Sequence, residues 1–239
     1  MSAIIIPARY KSTRLPGKPL LKIGGVPMIV KVAVNCMKSV ADRVIVATDD
    51  LRILEACEKV ENLEVTMTEG EYNSGSDRVA DVAKFLSDDT IINVQGDEPF
   101  LPVPLINNLI EDLEKGSVYM NSAYVDMDFS ESYDSNCVKV VIDKNDYALY
   151  FSRSQIPYLR NGGGYKFKKH IGVYGFKRDF LLEYSEMPYT PLERAEGLEQ
   201  LRALENGYKI KMIKSIRDSL SIDTESDLEK ANMLDSYNG

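Results

Sequence analysis

Cysteine is scarce in this chain of 239 residues and histidine scarcer: there are three Cys and one His. Cys36, Cys57 and Cys137 are odd in number and show no C-x-x-C spacing, so a disulfide framework is not expected. They read as reduced, mostly buried thiols of a cytoplasmic protein. With His170 alone, no His/Cys cluster suggests zinc, and no Ser/His/Asp or Cys/His arrangement for nucleophilic catalysis can be assembled. No apolar run approaches the roughly 18 residues of a membrane span, and the first strand begins without an apolar signal core, so no membrane insertion is expected. A cationic excess is missing too. The formal net charge of −8 argues against the broad basic face that nucleic acid requires. The opening loop matches neither G-x-x-x-x-G-K-[ST] nor G-x-G-x-x-G, so neither an ATPase P-loop nor a dinucleotide fold is indicated.

What is present is an apolar fraction of 44%, ample for a packed core. The length fits one large domain, or one domain with an elaborated arm. In the first half, strand-like runs at Ala3–Ile6, Arg43–Ala47, Glu64–Met67 and Thr90–Val94 alternate with helical patterns at Met28–Met37, Leu51–Val60, Asp77–Leu86 and Leu105–Leu113. Short, wholly apolar runs suit strands buried on both faces. Their alternation with helices predicts right-handed βαβ units, hence an α/β protein with a mostly parallel sheet. Ser76 and Asp77 suit the N-cap and first turn of the third helix. After Gly116 the pattern changes to runs at Val118–Val125, Val138–Ile142, Ala148–Phe151 and His170–Phe176, with few long helices between them and a turn at Gly162-Gly163-Gly164. Residues 116–188 therefore read as an antiparallel arm that could carry a dimer contact. A helix over Pro191–Glu205, opened by proline and closed by Asn206-Gly207, precedes a strand at Tyr208–Ile213 and a helix from Glu225. With no repeat and no long linker, 1–239 is read as a single domain.

Three segments carry candidate chemistry. The run Ile4–Ile6 leads into a loop holding Arg9, Lys11, Arg14, Gly17 and Lys18. Open α/β sheets present ligands at the carboxyl ends of strands, so this loop suggests a triphosphate or similar polyanion; a solvated basic turn is the alternative. Asn93–Pro99 closes a buried strand with Asp97 and Glu98, where a hard cation such as Mg²⁺ would sit, unless this is a turn with solvated acids. Asp223 is a second candidate ligand, although Thr224 and Asp227 form a plausible helix cap and Asp223 could simply favour that helix start. Tyr72–Arg78 could hold a base edge or a phosphate, or be an ordinary turn into a helix. By local pattern His170 is more readily structural than catalytic, and the Leu198–Arg202 helix is unremarkable.

Together the blocks Ile6–Leu20, Val44–Asp50, Ser74–Arg78, Asn93–Pro99, Val138–Val141, Tyr150–Pro157, His170–Tyr174, Leu198–Leu204 and Asp223–Leu228 resemble the 3-deoxy-manno-octulosonate cytidylyltransferases. They run in order over nearly the whole chain, and N-V-Q-G-D-E-P and Y-F-S-R followed by I-P are the most specific. The resemblance implies a Rossmann-like nucleotide-diphospho-sugar transferase fold with an antiparallel dimerisation arm, and a homodimer. It implies that CTP and an eight-carbon ulosonic acid give a CMP-sugar and pyrophosphate with Mg²⁺, for lipopolysaccharide biosynthesis. By the family pattern Arg9 and Lys18 hold the triphosphate, and Asp97 and Asp223 bind Mg²⁺. The Pro7 and Ala8 backbone, Ser74 and Arg78 face the cytosine and ribose. Gln95, Arg153, His170, Tyr174, Glu199 and Gln200 line the sugar pocket, with Tyr72 beside them. Two places depart from the family: Tyr72 stands where the family has histidine, and Asp218–Thr224 replaces a proline-rich G-V-D-T approach. Both departures resemble a branch that activates 8-amino-3,8-dideoxy-manno-octulosonate. A nonulosonate cytidylyltransferase, or an inactive nucleotide-binding protein of the same fold, are the alternatives.

Overall fold

The computed structural model describes residues 1–11, 15–116, 118–162 and 164–238; Arg14 and Gly163 lie outside the described residues. In chain order the first half comprises β1 (Ser2–Ala8), a small hairpin of β2 (Lys22–Ile23) and β3 (Val26–Pro27), α1 (Met28–Cys36), β4 (Arg43–Thr48), α2 (Leu51–Cys57), β5 (Glu64–Met67), α3 (Gly75–Ala83), β6 (Thr90–Val94) and α4 (Val103–Lys115). The second half adds β7 (Met120–Met127), β8 (Lys139–Ile142), β9 (Ala148–Ser152), β10 (Phe167–Lys177), α5 (Arg178–Glu186), α6 (Pro191–Glu196), α7 (Leu201–Glu205), β11 (Ile210–Lys214) and α8 (Glu225–Asn238).

Successive side chains of a strand point to opposite faces. Ile4, Ile6, Val44, Val46, Ile92 and Val94 therefore meet Val32, Leu105 and Leu109 of α1 and α4 on one face. Ile5, Ile45 and Ile91 meet Val79 and Ala83 of α3 and Phe180 and Tyr184 of α5 on the other. Two covered faces leave no solvent side, which is why these strands are apolar without alternation. The main sheet has the order β11-β7-β10-β6-β1-β4-β5. β6, β1, β4 and β5 pair in parallel, as do β11 and β7, while β10 runs against both neighbours. Every strand of this path but β10 thus points one way, as the βαβ alternation predicts.

Four expectations need correction. Residues 116–188 are not one arm: β7 and β10 lie inside the main sheet, and only the β8–β9 hairpin stands off, joined to β10 through Lys139 and Lys169. A shift in register between Ile171 and Tyr174 accompanies the passage of β10 from β8 to β6. α5, which the strand-rich pattern did not suggest, follows β10 directly and buries Phe180, Leu181 and Tyr184. The single helix over Pro191–Glu205 is two, because Gly197 at φ 62° takes the left-handed conformation that ends α6. Glu199 and Gln200 lie in the joint between α6 and α7. Lastly, α3 is capped by Ser74, not Ser76. Ser74 Oγ accepts from the Asp77 N–H at 3.1 Å and the Asp77 carboxylate accepts from Ser74 N–H at 3.0 Å. Among the described residues no helix is long and apolar enough to cross a membrane.

Candidate active site

Parallel pairing of β1 with β6, with Ile5 opposite Asn93, brings the loops that follow these strands side by side at their carboxyl ends. The close approach depends on Gly96, where a Cβ would lie 3.1 Å from the Pro7 carbonyl oxygen. The opening loop turns back through Gly17 at φ 66° into a short 3-10 turn beginning at Lys18. Lys18 Nζ there donates to Asp97 Oδ2 at 2.6 Å and to Asp223 Oδ1 at 2.9 Å. The two carboxylates, far apart in the chain, converge on one ammonium.

Backbone and cap geometry explain the convergence. Ile222 N–H donates to the Asp97 carbonyl at 3.0 Å, sewing the last loop to the end of β6. Thr224 and Asp227 form a reciprocal cap at the start of α8, Asp227 N–H donating to Thr224 Oγ1 at 3.2 Å and Thr224 N–H to Asp227 Oδ2 at 3.0 Å. Capping is thus done by the two neighbours, and the Asp223 carboxylate is turned to Lys18. Burial opposes the charge of Lys18, but Asp97 and then Asp223 outweigh it and hold the ammonium above its ordinary range. Of the acidic pair only Asp97 meets Lys18. Glu98 is buried and accepts a short hydrogen bond from Ser219; burial first, then Asp97, pushes its carboxyl up to about 8.

One cleft is lined by Pro7, Ala8, Arg9, Lys18, Tyr72, Ser74, Arg78, Gln95, Asp97 and Asp223. Arg78, 6% exposed, is fixed by Thr68 Oγ1 at 2.7 Å and Asp49 Oδ2 at 2.8 Å, with its guanidinium 4.8 Å from the Tyr72 ring centre. Tyr72 OH donates to Asp81 Oδ2 at 2.7 Å, and burial with that carboxylate raises the phenol. Tyr72, expected with the sugar residues, thus packs on Arg78 within the same cleft as Lys18, Asp97 and Asp223.

Of the other residues expected around the sugar, Gln95 lines this cleft, whereas Arg153, His170, Tyr174, Glu199 and Gln200 do not. His170, Tyr174, Glu199 and Gln200 form a buried layer behind it, with Arg153 half-buried at its edge. His170 Nε2 lies 2.8 Å from Ser122 Oγ, and burial pushes the imidazole down to about 3, so it is neutral. Tyr174 OH donates to Gln200 Oε1 at 3.1 Å. Burial raises the Glu199 carboxyl, against which the Ser76 and Ser74 hydroxyls act; Ser74 thereby touches both groups. Among the described residues Glu199 Oε2 and Gln200 Nε2 are buried without a hydrogen-bond partner. Such orphaned atoms call for a ligand or water. Arg153 is held by Glu196, whose carboxylate accepts from its backbone N–H at 2.9 Å and whose carbonyl accepts from its Nε at 2.8 Å. The pattern reading missed Asp49, which anchors Arg78, although it lies in the Val44–Asp50 block; it missed Glu196 and Ser122, for which no local signal exists.

Two carboxylates focused on one cationic point fit a hard divalent ion, which takes one or two carboxylates with phosphate oxygens and water. The fit rests on the position that the Lys18 ammonium takes between Asp97 and Asp223.

The model of a protein family described as Cytidylyltransferase matches residues 3–216. A 3-deoxy-manno-octulosonate cytidylyltransferase of Fusobacterium nucleatum subsp. nucleatum is 48% identical over 231 residues, covering 95% of this chain and 93% of its own. One from Trichlorobacter lovleyi is 44% identical, with 95% of each chain covered. Among solved structures, that of CMP:2-keto-3-deoxy-manno-octonic acid synthetase complexed with CTP superposes with a TM-score of 0.95 at 36% identity, covering 100% of this chain and 99% of that one.

Proposed function

The chain belongs to the 3-deoxy-manno-octulosonate cytidylyltransferase family, and on that premise we propose that it forms the CMP-sugar of an eight-carbon 3-deoxy-ulosonic acid from CTP, with Mg²⁺, for lipopolysaccharide assembly. The observation that carries this reading is the meeting of Asp97 and Asp223 on the Lys18 ammonium, at the end of the sheet where ligands bind.

In the reaction the anomeric hydroxyl oxygen bonds to the α-phosphorus, the bond from that phosphorus to the pyrophosphate oxygen breaks, and the hydroxyl proton passes to solvent. Little covalent work falls to the protein, so positioning and charge neutralisation dominate. Lys18 and Arg9 take the triphosphate. The Pro7 and Ala8 backbone, Ser74 and Arg78 face the base and ribose. Asp97 and Asp223 would hold the divalent ion, which supplies charge neutralisation and lowers the pKa of a bound hydroxyl. Glu199 Oε2 and Gln200 Nε2 gain partners from sugar hydroxyls, with Gln95, His170 and Tyr174 beside them, and Arg153 meets the sugar carboxylate through its planar fork.

The 8-amino analogue is the second acceptor to test. Tyr72 stands where the family has a histidine; its hydroxyl donates to the Asp81 carboxylate, leaving the phenol oxygen to accept from an ammonium that a cationic histidine would repel. A second copy of the chain is the partner we assign to the exposed aromatics Phe129, Tyr133 and Tyr158 of the 116–188 region. Free thiols at Cys36, Cys57 and Cys137 support a reducing, cytoplasmic setting.

The test is pyrophosphate release from CTP with the octulosonate and its 8-amino analogue side by side, with and without Mg²⁺, against UTP, GTP and a nonulosonate. Mg²⁺-dependent CMP-octulosonate formation supports the reading. Turnover of the nonulosonate alone, or of neither sugar, defeats it.

A further inference from the structure

Lys139 is wholly buried, yet the groups that receive its ammonium are backbone carbonyls: Asp134 O at 2.8 Å, Cys137 O at 2.6 Å and Arg153 O at 2.5 Å. An ammonium has three donors, and three acceptors satisfy them. Neutral dipoles nonetheless repay the removal of a charge from water poorly, and an apolar side chain of similar length would fill the same space without that penalty. The geometry shows what the ammonium does beyond filling space. It ties the 134–137 turn to the end of β9, and Arg153 is caught between the two. Its carbonyl is held by Lys139, and its Nη1 donates to Ser135 O at 3.2 Å inside the same turn. Glu196 closes the remaining side through the Arg153 backbone N–H and Nε.

We propose that Lys139 is a positioning residue for the acceptor sugar: its carbonyl-caged ammonium fixes Arg153, and through Arg153 the capture of the ulosonate carboxylate. The proposal rests on the reading of Arg153 given above, and it concerns no group in contact with CTP. A fork that binds a carboxylate with two parallel hydrogen bonds tolerates little displacement, so slackening the turn weakens the sugar site alone.

The experiment is steady-state kinetics of Lys139→Met, Arg153→Ala and the double variant, varying each substrate in turn, with Lys139→Gln as a second probe should Lys139→Met not fold. Lys139→Met raises the KM for the ulosonate about tenfold or more and leaves the KM for CTP within about twofold. In the Arg153→Ala background the same substitution changes the ulosonate KM by less than about twofold, because the group it acts through is gone. Equal shifts in both KM values, or additive effects in the double variant, overturn the proposal and reduce Lys139 to a structural role. An ulosonate KM unmoved by Arg153→Ala overturns it at Arg153 while cytidylyl transfer stands. If the wild type forms no CMP-sugar, the reaction reading fails separately; exchange of the Arg153 amide, faster in Lys139→Met, still decides the cage.

Discussion

The cleft at the ends of β1 and β6 and the layer behind it on β7, β10, α6 and α7 use charge in opposite ways. In the cleft the side chains of Lys18, Asp97 and Asp223 are 14%, 26% and 41% exposed. In the layer behind, Arg202 and Glu193 are 1% and 4% exposed and pair at 2.6 Å, with Arg202 lying over the rings of Tyr184 and Tyr189. Ion pairs that water reaches add little to stability. A buried charge stripped of its partner is costly. The open pairs are thus free to be spent on ligands, whereas the buried pairs are committed to holding the joint that presents Glu199 and Gln200.

The contrast breaks most sharply at the two carboxylates. Asp97→Asn and Asp223→Asn should each lower turnover by about 10² to 10³-fold, the scale of losing one preorganised electrostatic group, while thermal melting barely moves. Pyrophosphate release and a melting curve on the same samples measure both. Variants that lose stability instead of rate would make this pair structural and remove the distinction. Next comes Arg202→Met, with the opposite signature. It leaves the Glu193 carboxylate buried without its principal cation and also removes the 3.4 Å contact with Asp77, so it should cost about 3–5 kcal/mol in a urea titration. Adding Glu193→Gln should recover part of that loss, since no orphaned charge remains.

The two regions were not equally legible in the sequence. β1, β4 and β6 could be placed because a strand buried on both faces needs no partner to be recognised; its own apolar run is the signal. The end of α6 could not. Pro191 and Asn206-Gly207 outline one helix, and only packing decides that Gly197 turns left-handed between them. In the cleft each residue was nameable, but the meeting of Asp97 with Asp223 was not. Local sequence left the helix start as an equal reading of Asp223; what turns its carboxylate to Lys18 is the Thr224–Asp227 cap together with the Ile222–Asp97 hydrogen bond. The family resemblance supplied what spacing lacked. The buried layer was least legible, because the state of His170 or Lys139 is set by the surrounding shell and not by its sequence neighbours.

His170 offers the finest test of the contrast, since its buried imidazole ordinarily titrates within a range that a pH series reaches. Its ring sits against Phe151 and Tyr174, with Ser122 on Nε2, and burial pushes it down to about 3. In the unfolded chain the imidazole titrates near 6.5. Below that pH the unfolded state binds a proton that the folded state refuses, so its contribution to stability is complete above about 6.5 and is lost as pH falls toward about 3. By pH 5 the loss should reach about 2 kcal/mol. Urea titrations of wild type and His170→Asn at pH 7 and pH 5 isolate it: the gap between the two proteins should narrow, or reverse, in acid. A gap that stays constant would mean the imidazole is reached by water in the folded state, and the layer behind the cleft would then be as open to solvent as the cleft itself.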